Sequence, residues 1–219
     1  MTKKLTLLTA LALTVVAVPA VVAAPKPDQK LSIAAKPGTV TFGKEVQVTG
    51  QLTGGTARDV SGQNVTLQSD PYPYDGTFGK VATVDTNNAG FYAFTVKPLT
   101  NARYRTLAKG GTESAQITVP VRVAITLAVS DKTPSSGARV KFSGSIAPPH
   151  DGKVARIQRK TSSGWKTVGK ATLTDAGEVV SNYSKRVRVR RSGRYRVHFN
   201  PADGDHAAGN SSRVRITVG

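Results

Sequence analysis

Cysteine is absent from the 219 residues. That excludes disulfide staples, thiol catalysis and thiolate metal sites together. There are only 3 His and 13 Asp+Glu, scattered along the chain, so the order of residues suggests no dense metal cluster and no paired acid–base constellation. Aromatics make up 6%. No Gly-x-Ser-x-Gly, no HExxH and no phosphate-cradling glycine loop occurs. A Ser-His-Asp arrangement needs a histidine oriented by a carboxylate beside a nucleophile. His150 and His206 fall in loops, and His198 falls on an outward strand position. The chain therefore reads as noncatalytic, without cofactor or metal; the competing class is an enzyme accessory or a small hydrolase. Positive charge, by contrast, is abundant: 31 Lys+Arg give a net charge of +18. A partner chosen by electrostatics should be anionic.

Lys3 and Lys4 precede an almost wholly apolar run from Leu5 to Val22, with small residues at Ala20, Ala23 and Ala24. This is the pattern of a secretory signal peptide over residues 1–24. Cleavage fits after Ala23 or Ala24, and Pro25 favours Ala23. A retained anchor is the alternative, but the run is at the lower limit for crossing a bilayer. No second apolar run follows. The mature protein is expected to be secreted, extracellular or cell-surface associated, with no transmembrane segment.

After a polar tail at 25–30, short β-branched runs alternate apolar and polar residues between Gly, Pro, Asn and Asp. Examples are Glu45–Thr49 and Val140–Ser143. Period-two alternation with frequent turn residues predicts an all-β sandwich or barrel. The runs also repeat in order. Gly43–Gly50 matches Gly137–Gly144, and Leu67-Gln68 matches Ile157-Gln158. Thr83–Gly90 matches Thr172–Gly177, Arg103-Tyr104-Arg105 matches Arg194-Tyr195-Arg196, and Ile117–Val119 matches Ile216–Val218. Two tandem β-sandwiches are predicted, at 31–123 and 124–219. No Gly/Ser linker separates them, and Val119–Val129 is nearly continuous β-prone sequence, so a short, stiff junction is expected.

The Thr83–Phe94 run and the Arg194–Phe199 strand with its Gly204-Asp205-His206 loop resemble tandem immunoglobulin-like modules. Such modules are common in exported and surface proteins of high-GC Gram-positive bacteria. The first run is also similar to carboxypeptidase regulatory-like modules. The resemblance covers about 31–219 and implies immunoglobulin-like sandwiches acting as adhesion units, spacers or accessory domains. It also implies a tyrosine-corner role for Tyr104 and Tyr195, ring buried and hydroxyl bonded to nearby backbone.

Charge is concentrated in the second unit. Residues 25–123 hold 11 basic and 7 acidic residues, whereas 124–219 hold 18 and 6. Lys185–Arg196 contains 7 basic residues in 12. Alternation points Val187, Val189, Tyr195, Val197 and Phe199 inward. Arg186, Arg188 and Arg190 then face out from one sheet. Arg156, Lys160, Arg194, Arg196, Arg213 and Arg215 are predicted to share the outer face of the other. Such a face suits a polyanion, such as an anionic wall polymer or acidic glycan, bound by counterion release. Export makes nucleic acid a poor physiological partner. A merely solvating strand face, and a pure spacer role, are the alternatives.

Asp70–Gly76 places Tyr72 and Tyr74 on a proline-stiffened loop, a secondary site for carbohydrate or protein contact or a cover for the sandwich end. Asp203, Asp205 and His206 lack the oxygen ligands calcium needs and read as turn residues. Trp165, after the Ser162-Ser163-Gly164 turn, is expected to cover the core edge.

Overall fold

The computed structural model describes residues 28–219. The signal peptide expected at 1–24 lies outside the described residues. The fold is an all-β sandwich built from antiparallel sheets. Among the described residues one α-helix occurs, the four-residue Ala57–Val60. No described helix is long and apolar enough to cross a membrane.

Alternation sets the strands. In Val46–Thr53 the side chains of Val46, Val48 and Leu52 are buried, while Gln47 and Thr49 face solvent. Val46–Thr53 pairs with Lys30–Leu31 and Ala34–Lys36, and with Phe91–Val96. A second sheet runs in the order Gly79–Asp85, Asn64–Pro71, Ala102–Ala108, Ile117–Val119. Between these sheets lies a buried cluster that includes Val48, Leu67, Phe94 and Tyr104.

The same arrangement recurs downstream. Arg139–Ala147 pairs with Ala124–Ile125 and Ala128–Val129, and with Ser181–Arg188. The facing sheet runs Gly164–Thr172, Val154–Thr161, Gly193–Phe199, with Gly209–Asn210 and Val214–Ile216 beyond. A separate buried cluster, including Phe142, Ile157, Tyr195 and Phe199, fills the space between. Val187, Val189, Val197 and Ile216 point into it, as the alternation requires.

Matched residues do matched work. A register shift occurs at Leu67/Gln68 and again at Ile157/Gln158. Gln68 Oε1 accepts from Arg105 Nε at 2.8 Å, and Gln158 Oε1 from Arg196 Nε at 2.9 Å. The Tyr92 hydroxyl donates to the Ser32 carbonyl, and the Tyr183 hydroxyl to that of Thr126. Each crosses over a glycine, Gly50 or Gly144, where a Cβ would collide with that same carbonyl. Tyr195 donates to the Arg191 carbonyl at 2.7 Å, and Tyr104 is buried at the corresponding position.

The junction contains no slack. Val119, Val121 and Val123 are buried. Val121–Arg122 pairs in parallel with Val40–Thr41. Opposite, Ala207 N–H donates to the Val121 carbonyl at 2.8 Å, and Val123 N–H to the Ala207 carbonyl at 3.1 Å. Asn101 completes the join. Its backbone N–H donates to the Asp205 carbonyl (2.7 Å), its Nδ2 to the Gly204 carbonyl (2.8 Å), and its Oδ1 accepts from Val121 N–H (2.7 Å).

Candidate functional site

Register decides which cations share a face. On the sheet centred on Val154–Thr161, Arg156 stands opposite His198 and Gln158 opposite Arg196. Arg194 stands opposite Arg215, and Lys160 opposite Trp165. Ile157 and Val197 alternate with these residues and are buried, so Arg156, Lys160, Arg194, Arg196 and Arg215 project from the outer side. Arg213, just before Val214–Ile216, brings its guanidinium to 5.7 Å from the Trp165 ring centre. The six predicted residues therefore lie on one sheet face.

Trp165 is the centre of this face, not a cover for the core edge as its position in the sequence suggests. The Arg196 guanidinium stacks over its ring at 4.1 Å, and Lys160 Nζ lies 5.9 Å away. Held between Gln158 and Trp165, the Arg196 fork loses little further freedom on meeting an anion. Burial and the neighbouring Arg213 charge both push the Arg196 pKa down from its ordinary value. Among the described residues no ion pair joins any of the six to a carboxylate.

The first half supplies the contrast. Arg105 stacks on Phe78 at 4.3 Å, as Arg196 does on Trp165. Glu113 then pairs with Arg105 at 3.1 Å. Glu113 precedes Ser114, whose hydroxyl accepts from Thr106 N–H. In the second half Asn210 precedes Ser211, whose hydroxyl accepts from Val197 N–H. A neutral Asn210 thus stands where the first half has its neutralising acid.

A second basic feature could not be read from alternation. Arg159, Lys166, Arg188, Arg190 and Arg191 line an open cleft of about 330 Å³ at the end of the second half, beside Tyr195 and Val168. Arg159 stands opposite the buried Tyr195, so it belongs to the inward row, yet it lines this cleft. The density of Lys185–Arg196 was the available signal, but it did not reveal Arg159 or Lys166.

Tyr72 and Tyr74 meet edge to face, with ring centres 5.5 Å apart. Tyr74 carries the Arg103 guanidinium over its ring at 4.4 Å. Tyr72 packs so closely on Gly204 that a Cβ there would sit 2.7 Å from its ring. The aromatic loop thus touches the loop holding Asp203, Asp205 and His206. That loop does not turn in isolation: His150, from the turn after Ala147, joins it, and the four side chains bring donor atoms within 4.8 Å of one another. No protein-family model matches the chain, and no curated protein matches it.

Proposed function

We propose that this is a noncatalytic exported protein of two immunoglobulin-like sandwiches that binds an anionic polymer at the cell envelope. The outer face around Trp165 is its binding surface, and the cleft at Arg190 and Arg191 extends the positive field. The observation that carries this reading is the set of six cations on one rigid face without a carboxylate partner, where the first half neutralises its equivalent arginine with Glu113. Cations on a stiff sheet need little ordering to meet a chain of phosphates or carboxylates. Binding is driven by release of the polymer's counterions. The partners this chemistry fits are anionic wall polymers and acidic glycans.

The test is binding to purified wall polymer across a salt series. Affinity should fall steeply as salt rises. Arg194→Glu combined with Arg196→Glu should weaken binding and flatten the log–log salt slope by about 1–2. Salt-independent binding, or an unchanged slope in the double variant, would refute the face and favour a spacer role.

A further inference from the structure

The histidines of the junction have an unusual electrical situation. His206 is only 7% exposed. Its Nε2 lies 2.8 Å from the Leu99 carbonyl oxygen. A carbonyl can only accept, so Nε2 carries the hydrogen and donates it. In the neutral ring Nδ1 then presents a lone pair, and that lone pair faces Asp205 Oδ1 at 3.1 Å. His150, 9% exposed, repeats the pattern with its nitrogens exchanged. Nδ1 lies 2.8 Å from the Pro148 carbonyl, and Nε2 faces Asp203 Oδ2 at 3.2 Å. His206 Nδ1, Asp205 Oδ1 and Asp203 Oδ1 are buried and have no hydrogen-bond partner. Lone pairs aimed at carboxylates repel unless positive charge lies between them.

We propose that His150, Asp203, Asp205 and His206 form a binding site for one divalent transition-metal ion, with Zn2+ the best fit. Four donors within 4.8 Å of one another converge on one point, whereas two separate imidazolium–carboxylate pairs would need no common centre. Zinc bonds of about 2.0–2.1 Å put tetrahedral neighbours about 3.3 Å apart. The two His–Asp separations, 3.2 and 3.1 Å, already match. Two imidazoles with two carboxylates suit zinc and its neighbours better than calcium, which prefers six to eight oxygens. Each imidazole donates its other N–H to a backbone carbonyl, the usual way a ligating ring is oriented. Lys153 Nζ, 2.9 Å from Asp203 Oδ2 and also donating to the Pro201 carbonyl, brings an ammonium to the site. It shares Oδ2 with His150, and a carboxylate oxygen with two lone pairs can accept that bond while it ligates; Oδ1 is buried without a partner. Asp203 and Asp205 are partly exposed, which provides a route of entry.

The position gives the ion a structural role. His206 donates to Leu99, and Asn101 holds the backbone of Gly204 and Asp205. An ion that fixes Asp203–His206 to His150 therefore also fixes the loop against the first half.

The full chain, stripped with chelator, should bind one Zn2+ by calorimetry and melt at a higher temperature once loaded. Co2+ should give the intense visible bands of a tetrahedral N/O site. His150→Gln and His206→Gln should weaken Zn2+ binding about tenfold or more and abolish the Co2+ bands. His198→Gln, on the outer face, should change neither. Asp203→Asn keeps the His206–Leu99 contact and serves if a histidine variant fails to fold. Absence of stoichiometric binding would overturn the site, as would binding that survives both Asp203→Asn and His150→Gln. So would histidine NMR showing both rings still protonated on both nitrogens in excess Zn2+ at neutral pH.

Discussion

Tyr104 shows how one buried hydroxyl ties stability to pH. Burial pushes its pKa up to about 12, against about 10 for a tyrosine in the unfolded chain. Between these values the unfolded state releases a proton that the fold retains. Stability is therefore complete below about pH 10 and falls as pH rises toward 12. The loss from this residue is about 2–3 kcal/mol. Burial also raises the pKa values of Tyr92, Tyr183 and Tyr195, so alkaline unfolding should be steep. Urea midpoints measured across this range should fall less steeply in Tyr104→Phe than in the parent; equal slopes would contradict the assignment. The burial of Tyr104 was what the resemblance to immunoglobulin-like modules implied. The bonds of Tyr92 and Tyr183 across Gly50 and Gly144 were not legible in the sequence, because they join residues about sixty positions apart.

Among the strands, Arg139–Ala147 and Ser181–Arg188 carry a cost. Their register sets Arg139 opposite Arg188 and Lys141 opposite Arg186. Directly opposed like charges destabilise an antiparallel pair. Arg186→Glu should stabilise the protein by about 0.5 kcal/mol at low salt, and the gain should shrink as salt screens the charges. Urea denaturation at two salt concentrations measures both effects. Arg186 lies on the sheet opposite Trp165, so binding through the Trp165 face should persist in this variant. The strands themselves were readable, since period-two patterning names the inward residues wherever a single face is buried. Arg159 escaped because alternation marks it inward, whereas in the fold it lines the cleft with Arg190 and Arg191. Trp165 escaped because the pairing of its strand with Val154–Thr161 shifts register between Ile157 and Gln158, leaving Val168 as an extra residue, which no propensity announces.

At the scale of the whole molecule, the two buried clusters are joined by a backbone seam that Asn101 closes. Asn101→Ala removes the bonds to the Gly204 carbonyl and from Val121 N–H and leaves both groups without their partner. The expected cost is about 1–3 kcal/mol. Hydrogen exchange should accelerate at the Val121 and Ala207 amides, while the strand centres of both halves stay protected. Uniform acceleration throughout would mean that the seam and the sheets open as one unit.

Composition, alternation and the internal repeat were enough to determine an all-β chain, the inward face of most strands, and a surplus of cations in the second half. Those properties are local, because a side chain's face follows from its place in a strand of period two. Tertiary structure alone decided that Trp165 sits beneath Arg196, that five cations open into one cleft, and that His150 meets Asp203, Asp205 and His206 beside Leu99 of the first half. These contacts form between strands and loops far apart in the chain. Their geometry is set by how the sheets and the seam close, which local patterning does not encode.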